Sequence, residues 1–144
     1  MRFMMLVKAN EDSEAGVFPS AEVIDAMGKY NEELMKAGVL LAGDGLHPSS
    51  KGVRIRFSGS GKPAVIDGPF AETKELLAGF WMIQVKSREE AIEWASRAPF
   101  ADGEELELRQ VFETADFPPE SLTPAAAARE DAMRDELLRN AAKS

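Results

Sequence analysis

The side chains best suited to chemistry gather around one short stretch, Val65-Ile66-Asp67-Gly68-Pro69-Phe70-Ala71-Glu72-Thr73-Lys74-Glu75. Asp67 stands at a turn, and Glu72, Lys74 and Glu75 follow closely. A carboxylate can take up and return a proton when burial and neighbours bring it toward the working pH. An ammonium beside it holds it ionised, or binds an anionic group on a ligand. The sole histidine, His47, supplies the one imidazole that changes charge near neutrality. His47 and Asp67 are therefore the catalytic candidates. Glu72, Lys74, Arg54, Arg56 and Arg109 are the ligand-binding candidates, the arginines adding positive potential for an anionic or enolate-like group. The same residues also read as an exposed turn whose charges are solvated.

These groups need elements to hold them. Asp67-Gly68-Pro69 follows a short apolar run and reads as a strand entering a turn. Gly68 tolerates the backbone that a following proline imposes, and Pro69 fixes its own φ. If the residues after Phe70 are extended, Glu72 and Lys74 share a side and Glu75 points away. Upstream, Val53, Ile55 and Phe57 alternate with Arg54 and Arg56, a half-buried strand pattern. Ser58-Gly59-Ser60-Gly61-Lys62 joins it to a return strand over 63–66. That turn connects two strands and opens no helix, so it is not a phosphate loop. Val39 to Ala42 is a short strand that Gly43-Asp44-Gly45 breaks, and its exit loop carries His47. If that strand and the return strand run the same way in one sheet, His47 and Asp67 emerge together. Sites commonly lie where such loops converge.

The remaining pattern supplies the scaffold. Arg2 to Ala9 is apolar on both faces and reads as a central strand. Asn10 to Pro19 is a polar loop. Ser20 caps a helix that runs to Ala37 and stops at Gly38. Val23, Met27, Tyr30 and Leu34 form its buried stripe. Gly79 to Lys86 is another strand. Ser87-Arg88-Glu89-Glu90 is a capping box, and Ala91, Trp94, Ala95 and Ala98 form the inner face of the helix it starts. Glu105 to Glu113 is the last strand. After an acidic, proline-containing linker, Thr123-Pro124 starts a final Ala-rich helix. Its chief large apolar residues are Met133, Leu137 and Leu138, too few for a core helix.

Composition narrows the function. The 144 residues suffice for one well-packed domain. A net charge of −8 argues against nucleic acid or an anionic membrane as partner. The absence of cysteine removes disulfides and thiolate catalysis. One histidine removes a multi-histidine metal site within one chain, and no spaced acidic ladder marks a calcium site. No signal peptide or membrane-length apolar run is present, so the expected location is the cytoplasm.

The order strand, helix, strand, hairpin, strand, helix, strand predicts an α+β fold. It is the ferredoxin-like β-α-β-β-α-β unit with an inserted hairpin, over residues 1–117. A linker and C-terminal helical extension fill 118–144. Two helices cover one sheet face, and the strands are apolar on both. The second face therefore predicts a homodimer packed sheet to sheet. Arg54, Arg56, Glu107 and Arg109 alternate out of register with the apolar positions. They are expected on a polar patch of that face, either lining a pocket or pairing across strands.

The eleven residues from Val65 to Glu75 resemble the signature of the YCII-related family, in the branch named for its Asp-Gly-Pro-Phe motif. Gly45-Leu46-His47-Pro48-Ser49-Ser50, Ala78-Gly79-Phe80-Trp81, Glu90-Ala91-Ile92-Glu93-Trp94 and Glu107-Leu108-Arg109-Gln110-Val111-Phe112-Glu113 resemble it too. The likeness spans Met1 to about Phe117. It implies a dimeric α+β barrel. In better-understood relatives it implies a His-Asp pair in a cleft, transferring protons on small ring compounds, with the histidine near the end of the first helix region. Tyr30, Asn31 and Glu32 stand there in this chain, so the pair does not carry over to those positions. Some members are associated with sigma factors, which implies a regulatory role. Three functions are carried forward. The first is a cofactor-independent small-molecule enzyme of the proton-transfer, isomerase or lyase type, acting on an anionic or ring-type molecule. The second is a non-catalytic binding or sensor module associated with transcription regulation. The third is a structural or interaction dimer.

Overall fold

The computed structural model describes residues 1–143 in two compact units, the first Met1–Gln110 and the second beginning at Val111. In the first unit β1 (Arg2–Lys8) leads through a one-turn helix, α1 (Glu11–Glu14), into α2 (Ala21–Lys36) and then β2 (Leu40–Gly45). A two-stranded ribbon, β3 (Val53–Arg56) and β4 (Ala64–Asp67), follows. Then come β5 (Leu77–Gln84), α3 (Arg88–Ser96) and β6 (Leu106–Gln110). The main sheet is antiparallel in the order β2-β5-β1-β6, and β3-β4 forms a separate sheet. This is the α+β, ferredoxin-like arrangement, with β1 and β5 central and the ribbon inserted between β2 and β5.

Local chemistry sets the helix ends. The Ser20 side chain accepts a hydrogen bond from the Val23 amide at 3.2 Å. Ser87 accepts from Glu90 at 3.1 Å, while the Glu90 carboxylate accepts from the Lys86 amide at 2.9 Å. Each cap satisfies amides that the first helical turn leaves without partners. The loop expected over 10–19 holds α1 because Asn10 and Ser13 cap each other's backbone.

The core lies between the helices and one sheet face. Phe3 and Met5 of β1, Trp81 and Ile83 of β5, Tyr30 and Leu34 of α2, and Ala91 and Trp94 of α3 are all buried. The Tyr30 hydroxyl donates to the Trp94 carbonyl at 2.7 Å, tying α2 to α3. Burial pushes the Tyr30 phenol up to about 12. Its ring meets Trp81 edge to face at 5.3 Å, and the Trp81 indole donates to Asn31 Oδ1 at 2.7 Å. Val23 opens the α2 stripe but stays 40% exposed, because the helix outruns the core at its first turn.

Three boundaries differ from the pattern reading. Gly43-Asp44-Gly45 does not break β2, which pairs with β5 through Gly45. A Cβ on Gly43 would sit 2.6 Å from Cδ1 of Trp81, so glycine there lets the indole lie against the strand. β6 stops at Gln110, and Phe112 beyond it is 68% exposed. Residues 73–75 form a 3-10 turn rather than an extended segment, with Glu72 before it in left-handed backbone at φ 58°.

The opposite sheet face carries Met4, Leu6, Phe80 and Met82, each half-buried. In the second unit α4 (Pro124–Lys143) carries Arg134, which pairs with the Glu113 carboxylate and donates to the Phe112 carbonyl at 3.2 Å. Phe112 and Phe117 contact each other at 5.1 Å between ring centroids. No helix among the described residues is long and apolar enough to cross a membrane.

Candidate functional site

The Asp67–Phe70 turn is bolted to the loop that follows His47. The Gly68 amide donates to the Gly52 carbonyl at 3.0 Å. A Cβ on Gly68 would lie 1.8 Å from the Ser49 carbonyl oxygen. No side chain fits there, so the motif's glycine is required by close backbone approach. Ser49 ties the two loops together: its hydroxyl accepts from the Phe70 amide at 3.0 Å and donates to the Glu14 carboxylate. The other Glu14 oxygen accepts from the Ser49 amide at 3.0 Å. Glu14 and Ser49 are thus central to the loop architecture. The pattern reading assigned Glu14 to a polar loop, although Ser49 lay within a quoted motif. Only the Asn10 cap signal pointed toward the helical turn that presents Glu14.

His47 sits one residue beyond the Leu46 amide, which donates to the Ala78 carbonyl at 2.8 Å. Pro48 then begins the 3-10 turn Ser49–Lys51. Asp67 ends β4 directly across from Val53. His47 and Asp67 are both exposed. Among the described residues no hydrogen bond or ion pair joins them. The connectivity argument that placed them together does not hold as stated, because β2 and β4 lie in different sheets. Their loops meet instead through the contacts of Gly68 with Ser49 and Gly52.

The other candidates divide between two places. Arg54 lies over the Phe70 ring, 3.9 Å from its centroid, and so fixes the ribbon against the motif. Arg56 follows on the same ribbon face. Glu72 and Lys74 are exposed and form no ion pair with each other among the described residues. Arg109 lies on the main sheet with Glu107, 3.1 Å from it, and Lys8 reaches Glu107 at 3.3 Å and Glu75 at 3.9 Å. Hydrogen bonds from Arg109, then from Lys8, hold the Glu107 carboxyl below its usual range. A single polar patch of Arg54, Arg56, Glu107 and Arg109 on one sheet face is therefore not formed. The ribbon carries two of these residues out of the main sheet.

A groove of about 310 Å³ lies between α3 and β6, lined by Ile92, Ala95, Ser96, Leu106 and Leu108. It offers no titratable group. Among the described residues no three His, Cys, Asp or Glu side chains are placed to hold a metal ion. The motif region presents an imidazole, carboxylates and an ammonium to solvent on loops held from beneath.

The split β-α-β architecture with this motif defines a class, the ferredoxin-like α+β domains. Within it, the chain belongs to the YCII-related domain family, whose model matches residues 1–115. An uncharacterized protein of Rhizobium meliloti (strain 1021) is 34% identical over 89 residues, 60% of this chain and 71% of that one. Among solved structures, 5-chloro-2-hydroxyhydroquinone dehydrochlorinase from Burkholderia phenoliruptrix AC1100, in complex with 2,5-dihydroxybenzoquinone, is similar with a TM-score of 0.45 and 15% identity. That match covers 82% of this chain and 100% of that one.

Proposed function

We propose that this chain, read as a member of the family's Asp-Gly-Pro-Phe branch, acts on a small anionic or ring-type molecule held at the joined turns. The site comprises residues 47–52 and 67–75. One observation carries the reading: Gly68 is packed onto Ser49 and Gly52, so the loops bearing His47 and Asp67 form one rim. Proton transfer without an organic cofactor is the chemistry these residue types support. Asp67 takes a proton from carbon or oxygen, His47 returns one, and Lys74 offsets the ligand's charge. The working assembly is a homodimer, supported by the apolar strip Met4, Leu6, Phe80 and Met82 on the sheet face opposite the core.

A second reading is favoured by a specific fact. The His47 and Asp67 side chains are solvent-exposed and unlinked, which suits a binding or sensor module as well as an enzyme. One experiment separates them. A panel of hydroxybenzoates and ring lactones is incubated with the protein in deuterated buffer. Ligand line broadening reports binding, and deuterium incorporation beside the lactone carbonyl reports turnover. The enzyme reading expects both, with incorporation lost in Asp67→Asn. Broadening without incorporation selects the sensor. Neither signal leaves the interaction dimer.

A further inference from the structure

The two faces of the β3–β4 ribbon differ in charge. Arg54 pairs with Ile66 and Arg56 with Ala64, so these four side chains share one face. Val53 pairs with Asp67 and Ile55 with Val65, so those four share the other. The first face therefore holds two cations and no acid, while Asp67, the ribbon's one carboxylate, lies on the second. Arg54 sits over the Phe70 ring, 3.9 Å from its centroid, so the cationic face is the one turned to the motif's phenylalanine. Phe70 is half-buried and held in place, because its amide donates to Ser49 Oγ at 3.0 Å.

Neither guanidinium has an acidic partner. Arg97 also lies over an aromatic ring, that of Trp94, but Glu93 stands 4.0 Å from it. Arg109, Arg134 and Arg139 pair with Glu107, Glu113 and Glu136. Among the described residues the side chains of Arg54 and Arg56 form no ion pair and no hydrogen bond, in a chain with 25 acids and a net charge of −8. Contact with a ring supplies no oxygen to the N–H donors of Arg54. Two positions apart on one strand, the arginines start about 7 Å from each other, and like charges so placed repel unless an anion lies between them. A carboxylate would balance only one of them. A phosphate ester carries roughly two negative charges at neutral pH and three acceptor oxygens, and arginine forks match that geometry. The net negative charge of the whole chain disfavours a polyanion, which leaves a small molecule as the carrier. We infer that the Arg54–Arg56 face of the ribbon binds the phosphate group of a small molecule, with Phe70 holding Arg54 in position for it. This site stands apart from the proton-transfer reading, because Asp67 lies on the opposite ribbon face.

The test titrates the isotope-labelled full chain with inorganic phosphate, phenyl phosphate and acetate at one pH and one ionic strength. The Nε–Hε resonances of Arg54 and Arg56 are followed by NMR. Both phosphates should shift the two resonances saturably at millimolar concentration. Tighter binding of phenyl phosphate identifies an ester as the ligand, and tighter binding of inorganic phosphate identifies the free anion. Acetate, with a single charge, should bind about tenfold more weakly. Arg56→Gln, at an exposed side chain without partners, should weaken phosphate binding about tenfold or more, the scale of losing hydrogen bonds to a charged group. Phe70→Leu should weaken it severalfold by releasing Arg54. Circular dichroism checks each fold, and if Phe70→Leu does not fold, Arg56→Gln decides alone. The inference is overturned if neither resonance shifts saturably, if acetate binds as tightly as phosphate, or if Arg56→Gln binds phosphate undiminished. An equal loss in Arg88→Gln, whose charge lies on α3, would show a general charge effect and overturn it as well. Undiminished binding in folded Phe70→Leu removes Phe70 from the site.

Discussion

At the scale of single residues, the motif is legible as a turn, but its reasons lie in contacts distant in sequence. Gly68 needs to be glycine because of Ser49, nineteen positions earlier, at 1.8 Å from where a Cβ would stand. Gly68→Ala is expected to lower stability by about 1–3 kcal/mol or more, as overpacking against backbone does, measured by urea unfolding. Glu72 is the opposite case. A glutamate with φ of 58° holds a conformation that glycine adopts without cost, and such positions cluster where function requires a side chain. Glu72→Gly should raise stability by up to about 1 kcal/mol while weakening ligand broadening at the rim. Unchanged binding would remove Glu72 from the site. Tyr30 gives a pH test. Its folded pKa of about 12 lies above the unfolded value of 10.0, so the neutral phenol is favoured in the folded chain. That stability is complete below pH 10 and is lost as pH rises from 10 toward 12, on the order of 2 kcal/mol in all. Tyr30→Phe should lose about 1 kcal/mol at neutral pH, with the Trp94 carbonyl unpaired. Its unfolding free energy should then be flatter between pH 10 and 12.

At the scale of elements, periodicity and caps locate most helices and strands because those signals are local. Ser20 and Ser87 cap the helices they were read as capping, and β1 and β5 alternate as their sequences do. The differences arise where a distant partner overrides a local signal. Gly43 and Gly45 look like strand breakers, yet Trp81 and the β5 ladder keep them in β2. Phe112 continues the period of β6, yet its carbonyl and the neighbouring Glu113 are held by Arg134 beyond the strand's end. Glu14 was invisible as a loop anchor because its partner, Ser49, is thirty-five residues away. Ser49→Ala removes the relay between Glu14 and the Phe70 amide while leaving the Gly68 contacts. It should cost about 1 kcal/mol and speed hydrogen exchange at Phe70 more than in α2. Since the first compact unit ends at Gln110, a chain stopping after Phe117 should keep the core fold. Its melting temperature should fall by no more than a few degrees. Loss of soluble protein would show that the second unit is integral to the fold.

At the scale of the whole molecule, the sequence reading reached the four-stranded antiparallel scaffold, because alternating apolar faces and helix stripes demand a two-layer packing. It did not place the ribbon outside the main sheet. Strand patterns alone do not say which strands share a ladder, and the four-residue β3 and β4 carry no signal for that choice. The site was legible as a list of residues and not as an arrangement. Arg54 belongs to the ribbon and Phe70, Arg109 to the sheet and Glu107, and the His47 and Asp67 loops meet through backbone rather than through their side chains. The proposed site is that rim, where a small anion is proposed to bind, and the most direct measurement is an amide NMR titration of the full chain with salicylate. The expected result is saturable shifts concentrated in residues 47–52 and 67–75, abolished by Asp67→Lys and Lys74→Glu together. Saturable shifts confined to the groove of Ile92, Ala95, Ser96, Leu106 and Leu108, or no shifts at millimolar ligand, would contradict it.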